Sequence, residues 1–419
     1  MSKVIVSEDS NSRILESAYT IYEDKAINEA IGRQVLEFTR KILARVKDIQ
    51  SLHLLGGYGR GEGSILQEKE VVPLGDYDFL AVTRLPHTNI EISGFEELQR
   101  RFRVQYHVGV DFIWKPLLRF LNKRIYWYEA KFGSKRLLGD QRSLDEIPIS
   151  SGADIDIREG FHLMFNRLAG LEIVFNPTLQ ESDVLEEQKR HLIFQSIKAT
   201  LACGESLLLL CGKYHFSYAE RRRRFLKESE GSLADFSSLN PHFKSDYAKA
   251  TDFKLKPSFS MYADPIKNWF AAKKQVLQTL VFFLSKTRPC SASKQISRSR
   301  SLNTQVTPEN FPKLYLNESK PEMLDYLKYN WNAFKHFKSL RNISQFQNSF
   351  SDNVHVCLYY LALSTNDDGE IDCNFLDEAA RVVGRILPIS KKTVTEKNLH
   401  KKWQLIRDCA ITAWRLARQ

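Results

Sequence analysis

Asp76 and Asp78 stand one residue apart in Gly75-Asp76-Tyr77-Asp78-Phe79, and the run continues apolar through Leu80-Ala81-Val82. Along a strand, side chains alternate, so both carboxylates take one face while Tyr77 and Phe79 take the other. The two acids then sit about 7 Å apart at the backbone. Left bare they repel, and a cation between them relieves that repulsion. Oxygen ligands with room for water and phosphate suit Mg²⁺, which usually takes one or two protein carboxylates plus substrate phosphates. Asp111 repeats the apolar-acid-apolar pattern in Val110-Asp111-Phe112. If its strand pairs beside the first, a third carboxylate joins the cluster, and three acids can hold two metals. The bland alternatives are a solvated strand end for Asp76 and Asp78, and a buried partner of an arginine for Asp111.

Upstream, five glycines fall among the eight residues Gly56 to Gly63. Glycine-rich loops that hold phosphate can be sorted by spacing. A P-loop requires Gly-x-x-x-x-Gly-Lys-Ser/Thr, and no such Lys-Ser/Thr is present here. The dinucleotide fingerprint Gly-x-Gly-x-x-Gly fails on register, because its last position falls on Glu62 or on Ser64. What remains is a strand, a Gly-Gly turn and the start of a helix, followed by the strand that carries Asp76 and Asp78.

Several elements must position these residues. From Asp24 to about Lys47, the apolar residues Ile27, Ile31, Val35, Phe38, Ile42, Leu43 and Val46 recur at three or four, which predicts an amphipathic helix. Ser51-Leu-His-Leu-Leu-Gly-Gly57 reads as a strand ending in glycines, Asp76–Val82 as a second strand and His107–Trp114 as a third, with a helix over Phe95–Val104 between the last two. Beyond Ile149 the pattern changes to long helical segments, Arg158–Phe175, Glu186–Tyr214 and Pro265–Lys286. The serine-rich, basic stretch Thr287–Gln305 reads as a linker or disordered loop. The expected organisation is an α+β domain with a mixed sheet over 1–150, a helical substrate-side domain over 151–286, a flexible basic linker over 287–306 and a helical region over 307–419.

The chain has 419 residues, 43% of them hydrophobic, and a formal net charge of +11, which fits a globular protein of two or three domains with an anionic partner. Its six cysteines are scattered, with no Cys-x-x-Cys pair and no neighbouring histidine at zinc-ligand spacing, so they read as thiols in a reducing compartment. The N-terminus is too polar for a secretory signal. No stretch reaches the roughly 18 apolar residues of a membrane span, Val276–Leu284 being about half that. A cytoplasmic protein without a membrane partner is expected.

Taken together, Gly56-Gly-Tyr-Gly-Arg-Gly-Glu62, the Asp76-x-Asp78 pair and Val110-Asp111-Phe112 resemble the DNA polymerase β-type nucleotidyltransferase superfamily. The loop is most similar to that of bacterial protein uridylyltransferases. The resemblance covers roughly residues 50–115, and the helical remainder is only loosely similar to the bundles that often follow this domain. It implies that Gly56 and Gly57 bring backbone N–H groups against the β- and γ-phosphates of an NTP, with Arg60 as an added charge. It further implies that Asp76 and Asp78 bind the metals, and that Asp111 binds the catalytic metal and helps orient the incoming hydroxyl. The cofactor would be Mg²⁺, two ions, with Mn²⁺ as a substitute. The reaction would move a nucleoside monophosphate from an NTP such as ATP to an acceptor that the sequence does not name: a protein, a small molecule, a sugar or an RNA end. Two departures stand out. Eighteen residues separate Gly57 from Asp76, more than is usual, and include a charged Gln67-Glu-Lys-Glu70; and Gly75 replaces the common Ser or Asn. The alternatives are a non-catalytic nucleotide-binding regulatory module, or an antitoxin-like nucleotidyltransferase fused to a helical domain.

Three further stretches carry weaker signals. Ala219–Lys227 holds four consecutive arginines; on a helix these point all round the axis, which favours a solvated face over contact with nucleic acid or an acidic substrate. Lys123–Asp140 sets Tyr126, Trp127 and Tyr128 among basic residues, either as helix packing or as a platform for a nucleotide base. Arg101 and His107 match the spacing of helical-toxin ribonucleases by count, but run from a helix into a strand. Glu62 reads as structural, and Arg60 reads equally as a surface residue or as a structural partner of Glu62.

Overall fold

The computed structural model describes residues 8–46, 48–67, 71–84, 89–180, 184–292, 305–318, 350–387 and 395–418. Residues 68–70 of the charged insert, most of the linker and the first seven residues lie outside this set. The chain divides into two units: 1–159 with 211–237 and 244–258, and 160–210 with 238–243 and 259–419. The first unit therefore takes in two later segments, which hold α8 (Tyr218–Glu228) and most of α9 (Ala234–Leu239) and α10 (Phe243–Leu255).

In the first unit, α1 (Glu8–Leu15) and α2 (Lys25–Arg45) lead to a four-stranded sheet. Asp24 starts α2 by accepting a hydrogen bond from the Ala26 N–H, a cap for a donor the helix leaves without an acceptor. The sheet contains β1 (Ile49–Leu54), β4 (Asp76–Thr83), β5 (Gly109–Lys115) and β6 (Lys135–Gly139) in the order β5-β4-β1-β6. β1 is antiparallel to β4 and β6, whereas β4 and β5 run parallel, joined by α4 (Asn89–Tyr106). Between β1 and β4 lie the short turn α3 (Gly56–Gly59) and a small hairpin of β2 (Ile65–Gln67) and β3 (Val71–Pro73).

Period-two alternation divides β4 between two environments. Tyr77, Phe79 and Ala81 are buried in one core with Ile27, Ile31, Val35, Phe38 and Ile42 of α2. The Phe38 ring lies 4.9 Å from Phe79 and 5.0 Å from Phe102 of α4, the latter edge-on. Contacts of this kind contribute about 1 kcal/mol beyond the area buried. On the opposite face Leu80 and Val82 are buried as well, and Asp76 and Asp78 occupy the end of the strand nearest the glycine turn.

The second unit is helical among its described residues. α6 (Glu159–Val174), α7 (Glu186–Leu210) and α11 (Pro265–Ala292) agree closely with the segments predicted. Trp269 of α11 stacks 3.7 Å from Phe175 and donates to the Leu171 carbonyl at 2.9 Å. Helices α12 (Phe311–Glu318), α13 (Phe350–Leu363), α14 (Cys373–Ile386) and α15 (Leu399–Ala417) complete it. The residues read as the start of the linker, Thr287–Ala292, instead continue α11: Arg288 is buried there and faces Glu318 at 3.8 Å. α7, rather than the Val276–Leu284 stretch, is long and apolar enough to cross a membrane, but 83% of its apolar window is buried within the protein.

Candidate active site

The parallel pairing of β4 and β5 decides where the third acid goes. Asp78 is opposite Asp111, and Asp76 is opposite Gly109. Paired residues point to the same face, so Asp76, Asp78 and Asp111 share one. Asp76 and Asp111 are exposed and Asp78 is half-buried. Burial first, and then the charges of Asp111 and Asp76, push the Asp78 carboxyl up to about 7, with Arg60 acting in the opposite direction. That is the response of a carboxylate withdrawn from water and held near like charges.

The glycine turn reaches the same acid. The Leu55 N–H donates to the Asp78 carbonyl at 2.7 Å, extending the β1–β4 ladder to the edge of the turn. Gly56 follows with φ +64°, and a Cβ there would lie 2.4 Å from Asp78 Oδ2. Conformation and space both demand glycine. Gly109 is the counterpart on β5, where a Cβ would lie 1.7 Å from Asp76 Oδ1. The turn and the acids are thus one piece of structure. Gly57 belongs to the same turn, its carbonyl accepting from the Glu62 N–H at 2.8 Å.

Arg60 has a different place from the one the resemblance implies. Its side chain is only 4% exposed, with Nη1 3.1 Å from Glu129 and Nε 3.3 Å from Glu62. Its guanidinium lies 4.8 Å from the Tyr218 ring centre. Glu129, on α5 (Ile125–Gly133), also receives Arg221 at 2.6 Å and the Tyr214 hydroxyl at 2.6 Å. Burial works to raise the Glu129 carboxyl, but Arg60 and Arg221 hold it below the usual range. Glu62 in turn accepts from Ser217 Oγ at 2.7 Å and from the Tyr218 N–H at 2.8 Å, at the start of α8 (Tyr218–Glu228). These bonds fasten the glycine turn to α5 and α8.

The basic run is accounted for within the same unit. Arg221 is buried, Arg222 pairs with Asp252, and Arg223 and Arg224 both pair with Glu220. Lys123–Asp140 divides into α5 and β6 rather than forming one surface. Trp127 and Tyr128 are buried, while the half-buried Tyr126 has its phenol pKa raised by burial and by the charges of Asp78 and Asp111. Tyr126 and Glu129, three residues apart on α5, are therefore the helix positions electrostatically linked to the acid row. His107 ends α4 at φ +54°, between helix and strand.

Sequence reasoning missed Gly109, Glu129 and the segment from Tyr214 to Arg221. Only Gly109 carried a local signal, a glycine placed two residues before an acid in a strand. Among the described residues, no group of three or more His, Cys, Asp or Glu side chains is arranged to enclose an ion. The acids form an open row along two strands, an arrangement that suits Mg²⁺ completed by phosphate and water better than a closed protein cage. No family model, curated protein or solved structure matches this chain.

Proposed function

We propose that the first unit is a metal-dependent nucleotidyltransferase of cytoplasmic type, moving a nucleoside monophosphate from an NTP to an acceptor hydroxyl. The observation that carries this reading is the close approach of Gly56 to Asp78, which leaves room for backbone but not for a side chain beside a carboxylate. Asp76, Asp78 and Asp111 supply the oxygen ligands. Mg²⁺ held by them would neutralise the triphosphate and acidify the attacking hydroxyl. Gly56 and Gly57 let the turn approach the phosphates closely. Asp111, exposed at the row's edge, accepts a hydrogen bond from the acceptor hydroxyl and orients it. The new oxygen–phosphorus bond forms at the α-phosphate as the bond to pyrophosphate breaks and the hydroxyl proton passes along its hydrogen bond to Asp111. Arg60 acts from behind the turn as a positioning residue.

A second reading, a module that holds nucleotide without transferring it, rests on the eighteen-residue interval between Gly57 and Asp76. Incubating the protein with each α-labelled NTP, Mg²⁺ and cell extract distinguishes the two. Label transferred to an acceptor fraction supports the enzyme, and NTP binding without transfer supports the module.

A further inference from the structure

The helical unit contains a cavity of about 750 Å³ that the acid row does not involve. This volume is in the range of small-molecule sites, which are mostly apolar with a few placed polar groups. Leu277, Val281 and Phe282 line it from one face of α11, and Leu363 faces it from α13. The charged groups on its wall are Lys273, Lys274, Asp367 and Arg288, the last offset by Glu318 at 3.8 Å. Lys274 and Asp367 are exposed and mark the rim, while Lys273 is only 3% exposed and lies deeper.

Lys273 is the informative residue. Its Nζ donates to the Thr365 carbonyl and, at 2.9 Å, to Thr365 Oγ1. An ammonium has three N–H groups, and the third has no acceptor among the described residues. Glu172, the nearest acid in electrostatic terms, is fully buried and neither of its oxygens is hydrogen-bonded. Burial drives Lys273 down and Glu172 up, while the attraction of Lys273 to Glu172 and to Asp367 opposes its own shift, and the ammonium also lies 5.0 Å from the Phe270 ring centre and 5.3 Å from that of Trp269. The remaining donor of Lys273 and the exposed ammonium of Lys274 at the rim leave this wall able to take an anion from outside.

We propose that this cavity binds a small organic anion, a carboxylate or phosphate monoester with an apolar body, its head at Lys273 and Lys274 and its body along Leu277, Val281 and Phe282. A macromolecular partner would need an extended groove, whereas this space accepts one compact ligand. The site lies entirely within the helical unit, so its test is independent of nucleotidyl transfer.

The test uses calorimetry on the full chain with two anionic probes, decanoate and 2-naphthyl phosphate, and their uncharged counterparts, 1-decanol and 2-naphthol. At least one anion is expected to bind saturably, one molecule per chain. Its counterpart should bind about tenfold more weakly or worse, since the partner charge is then missing. Leu277→Trp, which fills the cavity, should abolish binding with the circular dichroism unchanged. Lys274→Gln, at the exposed rim, should weaken it several-fold and remains informative if Leu277→Trp fails to fold. Absence of saturable binding by both anions overturns the proposal. So do equal affinities for anion and counterpart, or undiminished binding by a folded Leu277→Trp.

Discussion

Arg60→Met replaces a charge with an apolar chain of similar length at a place where the charge has two acids to satisfy. In the folded protein Arg60 Nη1 lies 3.1 Å from Glu129 and Nε 3.3 Å from Glu62, with 4% of the side chain exposed. Removing one partner of a buried ion pair costs about 3–5 kcal/mol, because the other charge stays buried without compensation. Here the lower end applies: Glu129 keeps Arg221, and Glu62 keeps its bonds to Ser217 and the Tyr218 N–H. The expected loss is about 3 kcal/mol. Arg60→Lys should recover only part, since a single ammonium cannot fork to two carboxylates. Amide exchange at Leu52–Leu54 and Phe79–Val82 reads the stability of this unit directly, without averaging over the helical one. An Arg60 that served mainly as an exposed phosphate ligand would change these exchange free energies by less than about 0.5 kcal/mol while lowering NTP affinity. That outcome would refute the buried-network account.

Three further outcomes follow from the geometry. Gly56→Ala should lose about 1–2 kcal/mol to its left-handed backbone and should lose NTP binding through the displaced Asp78 carboxylate, as measured by exchange and calorimetry; normal affinity in the Gly56→Ala variant would show the turn to be only a turn. His53 is buried against Ser51 and Ser143, and burial, then the charge of Arg136, lowers it from 6.5 to about 4. The unfolded chain therefore takes up a proton that the folded chain refuses, so this contribution is intact above pH 6.5 and is lost as pH falls towards 4, about 3 kcal/mol in all; urea titrations across that range should show a shallower acid loss in His53→Gln. Asp111→Asn should keep much of the NTP affinity yet slow transfer by about 10² or more, a barrier increase of roughly 2.7 kcal/mol; transfer at near wild-type rate would remove Asp111 from the catalytic set.

Local chemistry was legible in the sequence where it depends on period. The helix from Asp24, the strand carrying Asp76 and Asp78 and the long helices of the second unit follow from spacing alone, and the alternation that separates Tyr77 from Asp78 appears as expected. Asp111 required one assumption, that its strand pairs beside β4, and the register places it opposite Asp78. For Arg60 the pairing with Glu62 was legible from two positions away, but its second partner Glu129 lies 69 positions away and Arg221, which completes the network, lies 92 from Glu129. No local pattern encodes such a meeting. β6 and the β2–β3 hairpin escaped notice because Lys135-Arg-Leu-Leu-Gly has no β-branched residue and Val71-Val-Pro73 is short and ends in proline. The return of 211–237 and 244–258 to the first unit was hidden for the same reason: α8 is a polar helix by composition, and its bonds to the distant Glu62 and Glu129 are what tie it to the glycine turn.

The central claim, that the glycine turn and the acids form one metal-dependent nucleotide site, is tested most directly by calorimetric titration of NTP into the wild-type chain and Asp78→Asn, each with Mg²⁺ and with EDTA. The account predicts that EDTA weakens wild-type binding by about tenfold or more, roughly 1.4 kcal/mol, and that Asp78→Asn binds equally weakly in both conditions. Identical wild-type affinity with Mg²⁺ and with EDTA would contradict it.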